Sequence, residues 1–471
     1  MQKYRTVLPS DKHHAVRCWA RCSTALAITL ACSMTAHGAT LEVGPGKPYQ
    51  RIEAALAKAR PGDTVLVHPL GDGKAYEKTA AAVRMPKLTI KAARAAGAKR
   101  VPISGKGFDY SGRGSTPRAI FQFDRQAQGC TLEGFELFGA HNESHNGAGV
   151  RINQANQVTI SYCEIHGNDM GIMSGGDGSG KSAVDQRIEF CQIHHNGDFA
   201  HPGYNHNLYL GGGSVWMRFC EVHHSLTGHN FKSRAHQNVI ECCFIHDSAN
   251  RELDLVDAAE TALPESHAVL VGNIIAKDPQ SRGNRAVLHF GQDGGKDHAG
   301  TLYMALNTLV TPFIAPVVEL SAPNAKAELV GNLIVGPEAL GGGRGDRVKQ
   351  KVVEARAGAS LDNLQGTHNL LGAGFASGLG PLAAEDAGRE NKVVEMAGPV
   401  FVAAGKGNFQ LTKPWSAAAR LSLTPAGVQP PIRPITDWKP LERQYRHPAS
   451  DEARIDGAAL TAGAVGHAPA R

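Results

Sequence analysis

Between Thr227 and Val256 the chain reads TGHNFKSRAHQNVIECCFIHDSANRELDLV, and its ionisable residues fall at strand spacing. Phe231-Lys232-Ser233-Arg234 and Leu253-Asp254-Leu255 alternate apolar and polar, so Lys232, Arg234 and Asp254 share the outward face of one sheet. Tyr209, Lys232 and Asp254 form one row on that face, which His289 continues; Asn207, Asn230 and Glu252 form the next, with Arg234 to the side. A cation beside a Lys, Arg, Tyr or His base is the minimum set for removing a proton α to a carboxylate, because one group must neutralise the carboxylate while another takes the proton. Lys232 is the expected base and Arg234 the expected carboxylate clamp, since Arg offers a bidentate fork and its charge depresses a neighbouring Lys pKa. His229 and Tyr209 are the reserve acid or base. A plain ion pair between Lys232 and Asp254 is the competing reading, and it would raise the Lys pKa and spoil the base.

Loops on the side of this face are long, among them Gly197 to Asn205 and Gly291 to Ala299, the latter with Asp293 and Asp297. Such loops wall a groove suited to an acidic, uronate-containing polysaccharide, with Asn207, Asn230 and His289 as substrate contacts. Two other patterns carry less chemistry. Gly175-Gly176-Asp177-Gly178-Ser179-Gly180-Lys181-Ser182 matches GxxxxGK[ST], but Gln186 to Cys191 after it is a strand, whereas phosphate binding needs a helix N-terminus there. Arg344-Gly345-Asp346 sits in a Gly-rich loop and is read as chance. His166, His194, His223 and His246 form a column that zinc or copper would suit, with His195, His224 and Asp247 beside it; stacking of the repeat already explains the spacing.

The element that must position all of these is a repeat. Cys163-Glu-Ile-His, Cys191-Gln-Ile-His, Cys220-Glu-Val-His and Cys243-Phe-Ile-His share one phase, and Phe135, Asn273, Asn307 and Asn332 extend it. Intervals of about 23 to 34 residues, with period-two strands and variable loops, specify a solenoid. The cysteines are read as a buried column of small hydrophobes, and Asn at the same position as a hydrogen-bonded ladder along the axis. On this alternation Val239 to Ile245 is one strand, Cys220 points inward and Cys242 outward. Abundant Gly and few aromatics fit an all-β chain, and a solenoid allows 471 residues to form one domain.

At the N-terminus Lys3, Arg5, Lys12, Arg17 and Arg21, then Ala25 to Ala31, then Ala36-His37-Gly38-Ala39 read as an export leader, which predicts a secreted or periplasmic protein. The apolar run is too short to span a membrane. Most of the formal charge of +6 lies in that leader, so no nucleic-acid partner is implied. Tyr49 to Ala59 has helical periodicity ending at Pro61-Gly62 and predicts a short helix capping the first coil. The domain plan is therefore a leader over 1–39, a solenoid over 41–412 and a Pro-rich tail over 413–471.

Pro61-Gly62-Asp63-Thr64-Val65 followed by this ladder resembles the secreted right-handed parallel β-helix proteins of the pectate-lyase-like superfamily. Asn408-Phe409-Gln410-Leu411-Thr412-Lys413-Pro414-Trp415 resembles the last coil in that group, and the Pro-rich tail resembles terminal segments that pack back along the solenoid. The resemblance implies a right-handed parallel β-helix and admits several activities. Lyases of similar fold use a Lys or Arg base on the outer face, often with Ca²⁺ held by acidic residues of the same sheet, here Asp254 and Glu252. A polysaccharide lyase acting by β-elimination is the expected function. A glycoside hydrolase would need two carboxylates flanking the bond, and the paired Asp-Asp and Arg-Ile-Lys motifs of the similar hydrolases are missing, leaving Asp254 with Glu252 or Asp257 as a substitute. A non-catalytic carbohydrate- or metal-binding protein is the remaining alternative.

Overall fold

Each stretch of alternating residues becomes a short strand, and successive strands stack in parallel register rather than folding back on one another. The computed structural model describes residues 38–466 except 95–98, 296, 314, 337–350, 376–381, 383–390, 395–399, 413–417, 422, 425–426, 433–441 and 455–459. Residues 1–37 of the expected leader and Arg344-Gly345-Asp346 lie outside the described residues, as do parts of the tail. The described strands form a parallel sheet of twenty strands and another of eleven, with two small antiparallel pairs. The chain is a parallel β-helix.

One coil shows the pattern. Strand Phe231–Glu241 begins on the face that carries Lys232, bends, and continues on a second face, where Asn238 to Glu241 pair with Ala268 to Val271. Strand Phe244–His246 then forms the third face in the smaller sheet. The expected strand Val239 to Ile245 is therefore two strands, broken at a corner where Cys242 takes a left-handed conformation with φ 49°. Tyr162, Phe190, Phe219, Leu306 and His368 take the same conformation one residue ahead of the ladder position in their coils.

That corner explains the ladder. The residue after it turns its backbone N–H into a dry interior, where it must find an acceptor, as Cys243 N does at Asn273 Oδ1. Asn307 Oδ1 takes both Asn273 N, at 2.9 Å, and Asn273 Nδ2, at 3.0 Å, while Asn307 Nδ2 passes on to Asn332 Oδ1 at 3.0 Å. The series continues through Asn369 to Asn391, beyond the positions recognised in the sequence. In the earlier coils Cys163, Cys191, Cys220 and Cys243 fill the slot, fully buried and as free thiols. Each thiol bonds the carbonyl two residues back, at 3.2 to 3.3 Å.

The cap is shorter than its pattern: the helix is Ile52–Leu56, with Ile52 and Ala55 buried against Leu41, Val43 and Val65. Asn408–Leu411 is not a further parallel coil. It pairs antiparallel with Phe401–Ala403, and Phe409 packs edge-on against Phe244 at 5.0 Å on the outside of the solenoid. Tail residues Leu421, Leu423, Tyr445 and Leu460 join the same outer apolar layer. Cys242 points outward as expected, yet it is buried, because this layer covers it; its thiol reaches Arg443 O at 3.5 Å.

Candidate active site

The outward position of successive strands gives a continuous row. Tyr209 pairs with Lys232, Lys232 with Asp254, Asp254 with His289, and His289 with Glu319. The pleat points each side chain the same way, so neighbours meet at the strand separation of about 4.8 Å.

Asp254 is the hub. Lys232 Nζ at 2.9 Å and His229 Nε2 at 3.3 Å lie on its Oδ2; His289 Nδ1 at 2.9 Å and Arg251 Nη1 at 3.2 Å lie on its Oδ1. Burial alone would push this carboxyl up, but His229, His289 and Lys232 together hold it well below the usual range. Arg251 also grips Glu319 at 2.5 Å, and His289 Nε2 meets Ser321 Oγ at 2.5 Å, which locks the hub to the next coil.

Lys232 makes a second contact, with Asp293 Oδ2 at 2.8 Å from the loop that follows Gly291. Arg234 Nη2 lies 2.6 Å from that same oxygen. Its Nε donates to Tyr209 Oη at 3.1 Å and its Nη1 to the Asp257 carbonyl. Asp257 Oδ1 in turn accepts from Asp293 N at 2.5 Å and Gly294 N at 2.7 Å, pinning the loop over the row. Burial pulls Lys232 down, but Asp254 and Asp293 outweigh it and hold the ammonium above its ordinary value. Lys232 is thus held in ion pairs with Asp254 and Asp293, and that pairing opposes the expected role of base. Arg234 does not present a free fork either, since its three nitrogens go to three different groups. Burial lowers His229 to about 4, so it stays neutral at neutral pH, with Nε2 turned to Asp254 and its ring stacked on His206.

Asn207, Asn230 and Glu252 are not on the outward face. All three are fully buried and belong to an internal chain: Asn196 Nδ2 to Asn207 Oδ1 at 2.9 Å, Asn207 Nδ2 to Asn230 Oδ1 at 2.8 Å, and Asn230 Nδ2 to Glu252 Oε2 at 2.6 Å. They stand at the turn before their strands, where alternation has not begun, and their side chains fold inward to accept Ser225 N and Ser248 N. Glu252 ends at Lys277, 3.8 Å away and equally buried. Calcium takes six to eight oxygen ligands. Asp254 is ringed by nitrogen donors and Glu252 is inside the solenoid, so this pair does not fit Ca²⁺.

Sequence reasoning missed Arg251 and Glu319. Glu319 was reachable by carrying the row one coil past His289. The histidine column stacks at 5.2, 4.7 and 5.0 Å between rings, with Glu136 and Glu164 bonding His166 and His194 and Glu221 facing His246 at 3.5 Å, contacts that tie it into the repeat.

No family model and no curated protein matches the chain. Among solved structures it is similar to the pectate lyase Pel9A, with 12% identity, TM-score 0.48, and coverage of 91% of this chain and 96% of that one. A GH136 lacto-N-biosidase from Eubacterium ramulus gives 12% identity and TM-score 0.39, over 71% and 67% of the two chains. A PL6 family alginate lyase, AlyGC in mutant form, gives 12% and 0.35, over 76% and 54%. These are likenesses of fold alone.

Proposed function

We propose that the chain is a carbohydrate-active β-helix protein that binds an acidic, uronate-containing polysaccharide along the Tyr209–His289 row and cleaves it by β-elimination. The observation that carries this reading is the convergence of Lys232 and Arg234 on one carboxylate oxygen, at 2.8 and 2.6 Å. Two cations held by their own second contacts, on a sheet face walled by loops, are a preorganised carboxylate receptor. In the free chain Asp293 fills it; in the complex a uronate carboxylate takes that place.

Neutralising the carboxylate acidifies the adjacent C–H. The Tyr209 oxygen, into which Arg234 Nε donates at 3.1 Å, takes that proton while its own hydroxyl proton goes to the departing glycosidic oxygen, and the C–H electron pair forms the double bond. Asp254, His289 and Arg251 serve this step by fixing Lys232. The lyase reading is favoured over hydrolysis because Asp254 is held by four nitrogen groups, Glu252 is fully buried in the interior and Asp257 Oδ1 is taken by the Asp293 and Gly294 amides, which leaves no pair of these carboxylates facing a bond on the row. A non-catalytic binder is the second reading, favoured by the double pairing that locks Lys232. An exported location goes with a polymeric substrate, and no helix among the described residues is long and apolar enough to cross a membrane. Incubation with a panel of acidic polysaccharides, read by ultraviolet absorbance of the new conjugated double bond, tests the reading; polymer binding without absorbance leaves the binder.

A further inference from the structure

Away from the row, two loops bring three metal-ligand side chains together. His145 Nδ1 lies 2.8 Å from Asp198 Oδ2, and His201 Nδ1 lies 3.3 Å from the same oxygen. Their imidazole rings stack with centroids 3.5 Å apart and planes 28° apart. One donor atom from each of the three residues lies within 4.8 Å of the other two.

The supporting contacts aim these atoms. Asn205, fully buried, donates from Nδ2 to His145 O at 2.6 Å and accepts Asp198 N at its Oδ1 at 3.1 Å, so one side chain ties both loops. Ala200 N occupies Asp198 Oδ1 at 2.9 Å, leaving Oδ2 to face the histidines. His201 N returns to Asp198 O at 3.0 Å and closes the turn. In a tetrahedral zinc site with bonds of about 2.0 to 2.1 Å, ligand atoms stand about 3.3 Å apart. The His145 separation needs to open by about 0.5 Å, and the His201 separation already matches. The three side chains are 32%, 31% and 40% exposed, which leaves room for a water in the fourth position.

We propose that His145, Asp198 and His201 bind one divalent transition-metal ion of the zinc class, in an open site with two imidazole nitrogens and one carboxylate oxygen. The set is borderline in softness and too nitrogen-rich for calcium or magnesium. With no metal, both Nδ1 atoms face one carboxylate oxygen; to bind the ion the two rings turn out of their 3.5 Å stack so that both lone pairs meet on it. The other convergent group among the described residues, His224, His246 and Asp247, is already committed to the repeat, because His246 bonds Asp247, faces Glu221 at 3.5 Å and stacks on His223. The proposed site does not depend on the polysaccharide reading. It does lie close to it, since His206, which follows Asn205, meets the Tyr209 ring edge-on at 5.4 Å.

The test uses the full chain stripped with chelator, titrated with Zn²⁺ by calorimetry and with Co²⁺ by visible absorption. The expected result is one equivalent of Zn²⁺, a tetrahedral Co²⁺ spectrum and a melting temperature raised by Zn²⁺. His145→Ala and His201→Ala should each remove all three signals while circular dichroism stays unchanged, and His224→Ala should keep them. Absence of zinc binding by the wild type, binding that survives both loop variants, or loss in His224→Ala instead would each overturn the proposal. The wild-type cobalt spectrum decides the coordination even if a loop variant fails to fold.

Discussion

Lys232 Nζ and Asp293 Oδ2 meet at 2.8 Å, although one belongs to a strand of the sheet and the other to a loop from a later coil. Asp293 is 42% exposed at its side chain while Lys232 is 11%, so the partner most easily displaced is the carboxylate. A ligand that must displace an occupant loses affinity in proportion to the occupied fraction. Asp293→Asn should therefore tighten binding of a uronate oligosaccharide by about tenfold, or about 1.4 kcal/mol. Calorimetry with wild type and variant checks this, and weaker binding by the variant would show that Asp293 contacts substrate instead of standing in for it.

Lys232→Ala should lower the melting temperature as well as any activity. The ammonium is buried and bonded to Asp254, but that carboxylate keeps His229, His289 and Arg251, so the loss should be about 1 to 3 kcal/mol. Denaturant unfolding measures it. Arg234→Lys should be milder for stability and still severe for activity, because a single ammonium cannot serve Tyr209, the Asp257 carbonyl and Asp293 together.

The buried pair Glu252 and Lys277 gives a sharper contrast. Lys277→Met should cost about 3 to 5 kcal/mol by leaving Glu252 uncompensated, whereas Lys277→Met with Glu252→Gln should recover much of that loss. Chemical denaturation of the two variants gives the comparison. Equal stability of single and double variants would mean Glu252 already carries a proton.

Glu241 supplies a pH dependence. Burial raises its carboxyl to about 7, only partly offset by the bond from Trp216 Nε1 at 2.8 Å. A raised folded-state pKa gives stability that is full below the unfolded value and is lost as pH rises through the folded one. Glu241→Gln should thus leave stability near that of wild type at about pH 4 and add about 2 to 3 kcal/mol at about pH 9. Thermal melts at the two pH values check it; stabilisation confined to the acid side would reverse the sign.

The ladder was legible in the sequence because one residue type recurs at one inward phase, and the phase alone fixes the coil. The row Tyr209, Lys232, Asp254 and His289 was legible for the same reason, since alternation at period two sets the outward positions once the register is known. Asn207, Asn230 and Glu252 were misplaced because alternation was carried one residue back into the turn, where the backbone's need for acceptors decides the side chain. The burial of Cys242 depends on a tail contact with Arg443, far along the chain, and no local pattern encodes it. The same holds for Asp293, whose place over Lys232 is set by loop anchoring at Asp257.

On the proposed function, Lys232 and Arg234 receive a uronate carboxylate so that the neighbouring proton can be eliminated. Ultraviolet absorbance of the new double bond, followed on acidic polysaccharides with wild type and Arg234→Ala side by side, tests it most directly. The expected result is a rise with at least one polymer for the wild type and a rate lower by about 10² or more for the variant. An equal rise from both proteins, or cleavage into reducing ends with no absorbance, would contradict it.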